Sequence, residues 1–167
     1  SQRGGPADRQ AESGGRRIHA ARPFAHRAPP GIEEATVNGQ ELSYYCDAAI
    51  DPLGRSSGVA VVVRNGTGQI LDAASCSLEG MTNNEAEYEA LILGLELALA
   101  RGEGDATLLT DSQVVVGQMA GRFAVRDAKL APRHERAWRL LAHLPQATVA
   151  FVPRERNRLA DALAGEA

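Results

Sequence analysis

The run "GVAVVVRNGTGQILDAASC", residues 58–76, leaves this chain few architectures. Val59, Val61, Val62 and Val63 favour an extended strand, and "NGTGQ" supplies the glycines that a tight hairpin turn requires. A further apolar stretch, "ELSYYCDA" at 41–48, precedes it, so the three segments read as a meander of antiparallel strands. Such a sheet needs a cover. The chain provides one at once: an apolar helical pattern spans 83–101 and is closed by Gly102.

The remaining pattern extends the sheet. "ATLLT" at 106–110 reads as a short buried strand, "DSQVVVGQMAG" as a short helix, and "APRHERAWRLLAHL" as a longer amphipathic one. "TVAFV" gives a fifth strand and "RNRLADALAGEA" a terminal helix. In the order βββαβααβα, helices separate the later strands, which are therefore expected to run parallel in a mixed five-stranded sheet of an α/β sandwich. Within the 167 residues, 44% hydrophobic, one core suffices for this body. No apolar run approaches the ~18 residues of a membrane span, and a cytoplasmic protein is expected.

Charge divides the chain. Residues 1–30 carry six Arg against Asp8 and Glu12, a net +4, so the rest carries −7 of the overall −3. The Gly/Arg/Pro-rich segment at 1–38 is expected to be a disordered tail and 39–167 the folded domain. Two readings of the tail stand: a solvated leader, or a tether that adds attraction for nucleic-acid phosphates.

The helix at 83–101 contains a contradiction. At about 100° per residue, Glu85, Glu89 and Glu96 share one polar stripe, whereas Glu87 points roughly 160° away. Its neighbours one to three turns on are Ala90, Leu91, Gly94 and Ala98, the side expected against the sheet. A carboxylate there must be protonated, paired or bound to a metal, unless the first turn projects past the sheet edge into water. Asp47 raises the same question from inside an apolar strand. Asp111 ends a buried strand, where α/β sheets place their sites, although a helix N-cap there is the plainer reading and Ser112 could do that job instead. Asp161 shares a stripe with Asn157 and reads, taken alone, as solvent face.

"YYCDAA", "MTNNEAEYEALILGL", "LLTDSQVVVGQ" and "VPRERNRLADALA" together resemble the four acidic motifs of type 1 ribonuclease H, in the family's order, over residues 42–164. The resemblance implies the ribonuclease H-like fold, an α/β fold with strand order 3-2-1-4-5 and strand 2 antiparallel to the rest. It also implies an endonuclease that hydrolyses the RNA strand of RNA/DNA hybrids by a two-metal-ion mechanism, leaving 3′-hydroxyl and 5′-phosphate ends, as a monomer. Asp47, Glu87, Asp111 and Asp161 match the catalytic, metal-holding carboxylates for two Mg2+, with Mn2+ as the alternative ion. The family pattern has Asp47 bridge both ions, Glu87 and Asp111 complete the side of the attacking water, and Asp161 that of the leaving group. Asn83, Asn84, Gln113, Arg154 and Asn157 match or adjoin its substrate-binding positions. A strand order of this kind puts Cys46 and Cys76 about 10 Å apart, too far for a disulfide.

Physics gives the acids a reason to gather. Cleaving a phosphodiester with water requires a nucleophile at neutral pH and a counter-charge on both oxygens, which a metal pair supplies. Crowded carboxylates repel one another without such ions, so at least one raised pKa is expected in the metal-free protein. Two departures from the family pattern stand out: the loop "DAAIDPLGRSSG" after Asp47 lacks the usual glycine, and no histidine lies between Val152 and Asp161. A binding module without catalysis, or a nuclease of different preference, are the alternative readings. His134 and His143 read as surface or helix-end residues, Trp138 as core, and the cations at 126–139 as an exposed helix face.

Overall fold

The computed structural model describes residues 18–19 and 42–167. The elements are β1 (Ile18–His19), β2 (Leu42–Ile50), β3 (Ser56–Arg64), β4 (Ile70–Glu79), α1 (Asn83–Arg101), β5 (Ala106–Thr110) and α2 (Gln113–Met119). There follow α3 (Ala131–Ala142), β6 (Thr148–Phe151), a 3-10 turn at Arg154–Arg156, and α4 (Arg158–Glu166).

The sheet has the order β1-β4-β3-β2-β5-β6. β2, β3 and β4 form the expected antiparallel meander, and β5 and β6 run parallel to β2. Counted from Leu42, the five long strands therefore run 3-2-1-4-5, with the second antiparallel to its companions. One strand was not foreseen. β1 pairs Ile18 with Cys76 and His19 with Ser75 along the edge of β4, inside the segment expected to be a disordered tail. An edge strand exposes unpaired backbone N–H and C=O groups, so a partner can join it whatever its side-chain pattern. The rest of that tail expectation lies outside the described residues.

Helix α1 begins with a capping box. Glu85 N–H donates to Thr82 Oγ1 at 3.4 Å, and Thr82 N–H donates to Glu85 Oε2 at 2.9 Å. Gly102, at φ 69°, ends the helix in the left-handed conformation. The helix lies close on the sheet because Gly94 has no side chain: a Cβ there would stand 2.6 Å from Cys46 Sγ and 3.2 Å from Leu108 Cδ1. On the other face α4 approaches as closely, since a Cβ on Gly58 would meet the Ala164 carbonyl oxygen at 1.8 Å. Cys46 and Cys76 are buried and not joined by a disulfide, on strands separated by β3.

Packing of α3 corrects three expectations. The polar stripe of α1 is a docking face rather than a wet one: Arg133 Nη1 pairs with Glu85 at 3.1 Å and its Nε with Glu89 at 3.1 Å, and Arg136 pairs with Glu96. Two of the supposedly exposed cations thus pair with α1. Trp138 is 46% exposed instead of core, because its neighbour Ala137 holds the buried position against α1. His134 is half-buried, edge-on to Tyr88, and accepts from Trp138 Nε1 at Nε2 (3.1 Å). His143, by contrast, is the exposed C-cap of α3.

Candidate active site

Three elements converge at the ends of β2 and β5. Asp47 sits in β2, Glu87 in the second turn of α1, and Asp111 just past the last residue of β5. One oxygen from each of these carboxylates lies within 4.8 Å of the others. Asp47 and Glu87 are only 3% and 6% exposed, and the even choice the sequence left for Glu87 resolves to burial. They open into a cleft of about 300 Å³, lined also by Asn83, Phe151 and Arg154.

The fourth acid stands apart. Asp161, in α4, is outside the three-acid cluster and pairs with Arg154 Nη2 at 3.6 Å. Its charge still reaches the cluster, raising both Asp47 and Asp111.

Crowding and burial leave their mark on every member. Desolvation, then the charge of Asp111, pushes Asp47 up to about 7. Desolvation, then Asp47 and Asp111, pushes Glu87 up to about 8. Burial also raises Asp111. Arg154 draws all three downward without cancelling the rise. This is the expected signature of acids gathered without a counter-ion.

The donor set fits a hard divalent cation. All the candidate ligands are carboxylate oxygens, which suit magnesium or manganese rather than zinc. Glu87 Oε2 is buried with no hydrogen-bond partner, an arrangement that a bound cation would relieve.

Local supports hold these groups in place. Asp47 Oδ1 accepts the Ala48 N–H at 2.9 Å. Ser112, not Asp111, caps α2 through Oγ, which frees the Asp111 carboxylate to face the cleft. Thr110 is fully buried; its hydroxyl accepts the Ser112 N–H at 3.1 Å and donates to the Glu87 side chain. Thr110 and Phe151 escaped sequence reasoning, although a threonine directly before a strand-end acid and an aromatic in the last strand were visible signals.

The residues matched to substrate positions divide. Asn83 and Arg154 line the cleft. Thr82 does the capping, so the exposed Asn83 side chain is left free of that duty. Asn84 is half-buried and Gln113 exposed at the start of α2; neither lines the cleft. Asn157 is 1% exposed and bonded inward, which leaves it no surface to present to a substrate.

Comparison with known proteins agrees with the geometry. The family described as reverse transcriptase-like matches residues 46–167, a span holding all four acids. Ribonuclease HI of Halobacterium salinarum is 36% identical over 129 residues, 77% of this chain and 65% of that protein. The chain belongs to the type 1 ribonuclease H family. Among solved ribonucleases H, RNase H1 from the same halophilic archaeon superposes with a TM-score of 0.72 at 36% identity, covering 75% of this chain and 96% of that one. LC11-RNase H1 in complex with an RNA/DNA hybrid superposes with a TM-score of 0.71 at 29% identity, covering 76% and 96%. This ribonuclease H domain thus spans just under two thirds of the curated halobacterial relative.

Proposed function

We propose that this chain is a divalent-metal-dependent endonuclease that hydrolyses the RNA strand of RNA/DNA hybrids, leaving 3′-hydroxyl and 5′-phosphate ends. One observation carries the reading: carboxylates from β2, α1 and the end of β5 meet within 4.8 Å in an open cleft. The hybrid as substrate is supported by the structural likeness to LC11-RNase H1, which was solved bound to one. Two Mg2+ ions, or Mn2+ in their place, would supply the positive charge that generates a nucleophile from water and offsets charge on the leaving oxygen.

The chain's own groups take distinct parts. Asp47, Glu87 and Asp111 would hold the ions, with Asp161 of α4 as a further carboxylate beside them. Arg154, at the cleft wall and largely exposed, meets a phosphate by charge-assisted hydrogen bonds. Asn83 offers an amide to the 2′-hydroxyls that distinguish RNA from DNA. Asn84 and Gln113, at the starts of α1 and α2, contact the strand farther from the cut. The protein acts as a cytoplasmic monomer in this reading.

A second reading, binding without cleavage, draws on the position of Asp161 outside the cluster and its pairing with Arg154. One assay separates the two. Purified protein is incubated with labelled hybrid, duplex RNA, duplex DNA and single strands, with and without Mg2+. Mg2+-dependent cutting of the hybrid's RNA strand is expected; retention of intact hybrid under all conditions would favour the binding module.

A further inference from the structure

We propose that Asn157 is a positioning residue of the acidic cleft, tying the strand that carries Asp47 to the helix that carries Asp161. This inference rests on the metal-dependent reading above. Asn157 stands at the junction of the 3-10 turn and α4 and is almost wholly buried, at 1% exposure. Its Nδ2 donates to the Cys46 carbonyl at 3.0 Å, across 111 residues of chain, and Cys46 immediately precedes Asp47. Its own carbonyl accepts the Asp161 N–H at 3.1 Å, closing the first turn of α4. One residue therefore links the strand that carries Asp47 to the helix that carries Asp161 through a hydrogen bond on each side.

The amide nitrogen faces the Cys46 carbonyl, an acceptor, so this contact selects which end of the amide points at β2. Asn157 Oδ1, on the other end, is buried without a partner. Reversing the amide would direct this oxygen at the Cys46 carbonyl oxygen, so the strand that carries Asp47 holds the orientation. A side chain arranged in this way organises metal ligands from behind without touching substrate.

The test compares wild-type full chain with Asn157→Leu, which keeps the branched shape but has no donor, and Asn157→Ala. Thermal unfolding first establishes that each variant is folded. Calorimetric titration with Mg2+ then reads ion affinity, and steady-state cleavage of labelled hybrid reads kcat and KM separately. Affinity for Mg2+ is expected to fall about tenfold to a hundredfold, with kcat lowered, KM for the hybrid unchanged, and turnover partly restored by excess Mg2+. Raised KM with unaltered ion affinity would mark a substrate contact and overturn the proposal. A lower unfolding midpoint with unaltered ion affinity in the folded variant would mark a purely structural role and overturn it too. Wild-type protein gives an independent reading that needs no variant: the Asn157 side-chain amide protons should exchange slowly with solvent and shift as Mg2+ is added. Fast exchange with no shift overturns the proposal even if neither variant folds. Absence of Mg2+ binding by the wild type would instead remove the metal-dependent reading on which the inference stands.

Discussion

Gly94 of α1 lies directly against Cys46 of β2: a methyl group on Gly94 would stand 2.6 Å from the Cys46 sulfur. Glu87 is seven residues earlier, two turns along the same helix face, and Asp47 is the residue after Cys46. This close approach thus lies on the helix face and the strand that carry the pair of acids most deeply buried in the cleft.

Enlarging Gly94 should push α1 off the sheet. Gly94→Val is expected to destabilise the domain by roughly 1–3 kcal/mol through overpacking, and to weaken Mg2+ binding because Glu87 moves with the helix. Chemical denaturation and ion titration check the two effects; unchanged stability would show that the backbone shifts freely at this contact.

Docking of α3 depends on Arg133, which holds Glu85 and Glu89 at 3.1 Å each while only 24% exposed. Arg133→Met keeps the stem and removes a counter-charge from two partly buried carboxylates, at a cost of roughly 1–3 kcal/mol. A double-mutant cycle with Glu89→Gln should recover part of that loss. Additive effects would mean that Arg133 and Glu89 do not couple.

Stability should depend on pH in a direction unusual for carboxylates. Asp47 and Glu87 rise from 3.8 and 4.5 to about 7 and about 8, so the folded state binds more protons than the unfolded one across that interval. Their contribution is complete below the unfolded values and is lost as pH climbs through the folded ones. The metal-free protein is therefore expected to show a falling contribution to its unfolding midpoint up to about pH 8. Glu87→Gln should flatten the fall, and saturating Mg2+ should offset it, since ions compete with protons for the same oxygens. Identical pH profiles for wild type and Glu87→Gln would contradict the assignment.

Replacing Asp111 by Asn preserves shape and removes one charge. The variant is expected to fold normally, hold hybrid within an order of magnitude of wild-type affinity, and lose turnover by about a hundredfold or more. Equal turnover would remove Asp111 from the mechanism.

Much of this could be read in one dimension because the signals were local. The β-branched run before "NGTGQ" specified the hairpin, and α1 spans Asn83–Arg101, the limits that the apolar period and Gly102 marked. The direction of Glu87 followed from helical rotation alone. Other features had no local signal. Arg133 and Arg136 read as an exposed face because the stripe that pairs with them lies some 40 residues earlier, and Trp138 took its place outside the core only when α3 met α1. Asn157 matched a substrate position in the motif, yet its partner is a backbone carbonyl 111 residues away.

By itself, then, the sequence determined the helices, the five longer strands and their order, and marked four acids as candidates, since periodicity, turn chemistry and motif spacing act between near neighbours. Only the tertiary structure decided that three acids meet while Asp161 stands beside them, and that Asn157 turns inward. Those outcomes depend on distances between strands and helices far apart in the chain, which helix-to-sheet packing sets and no local pattern encodes.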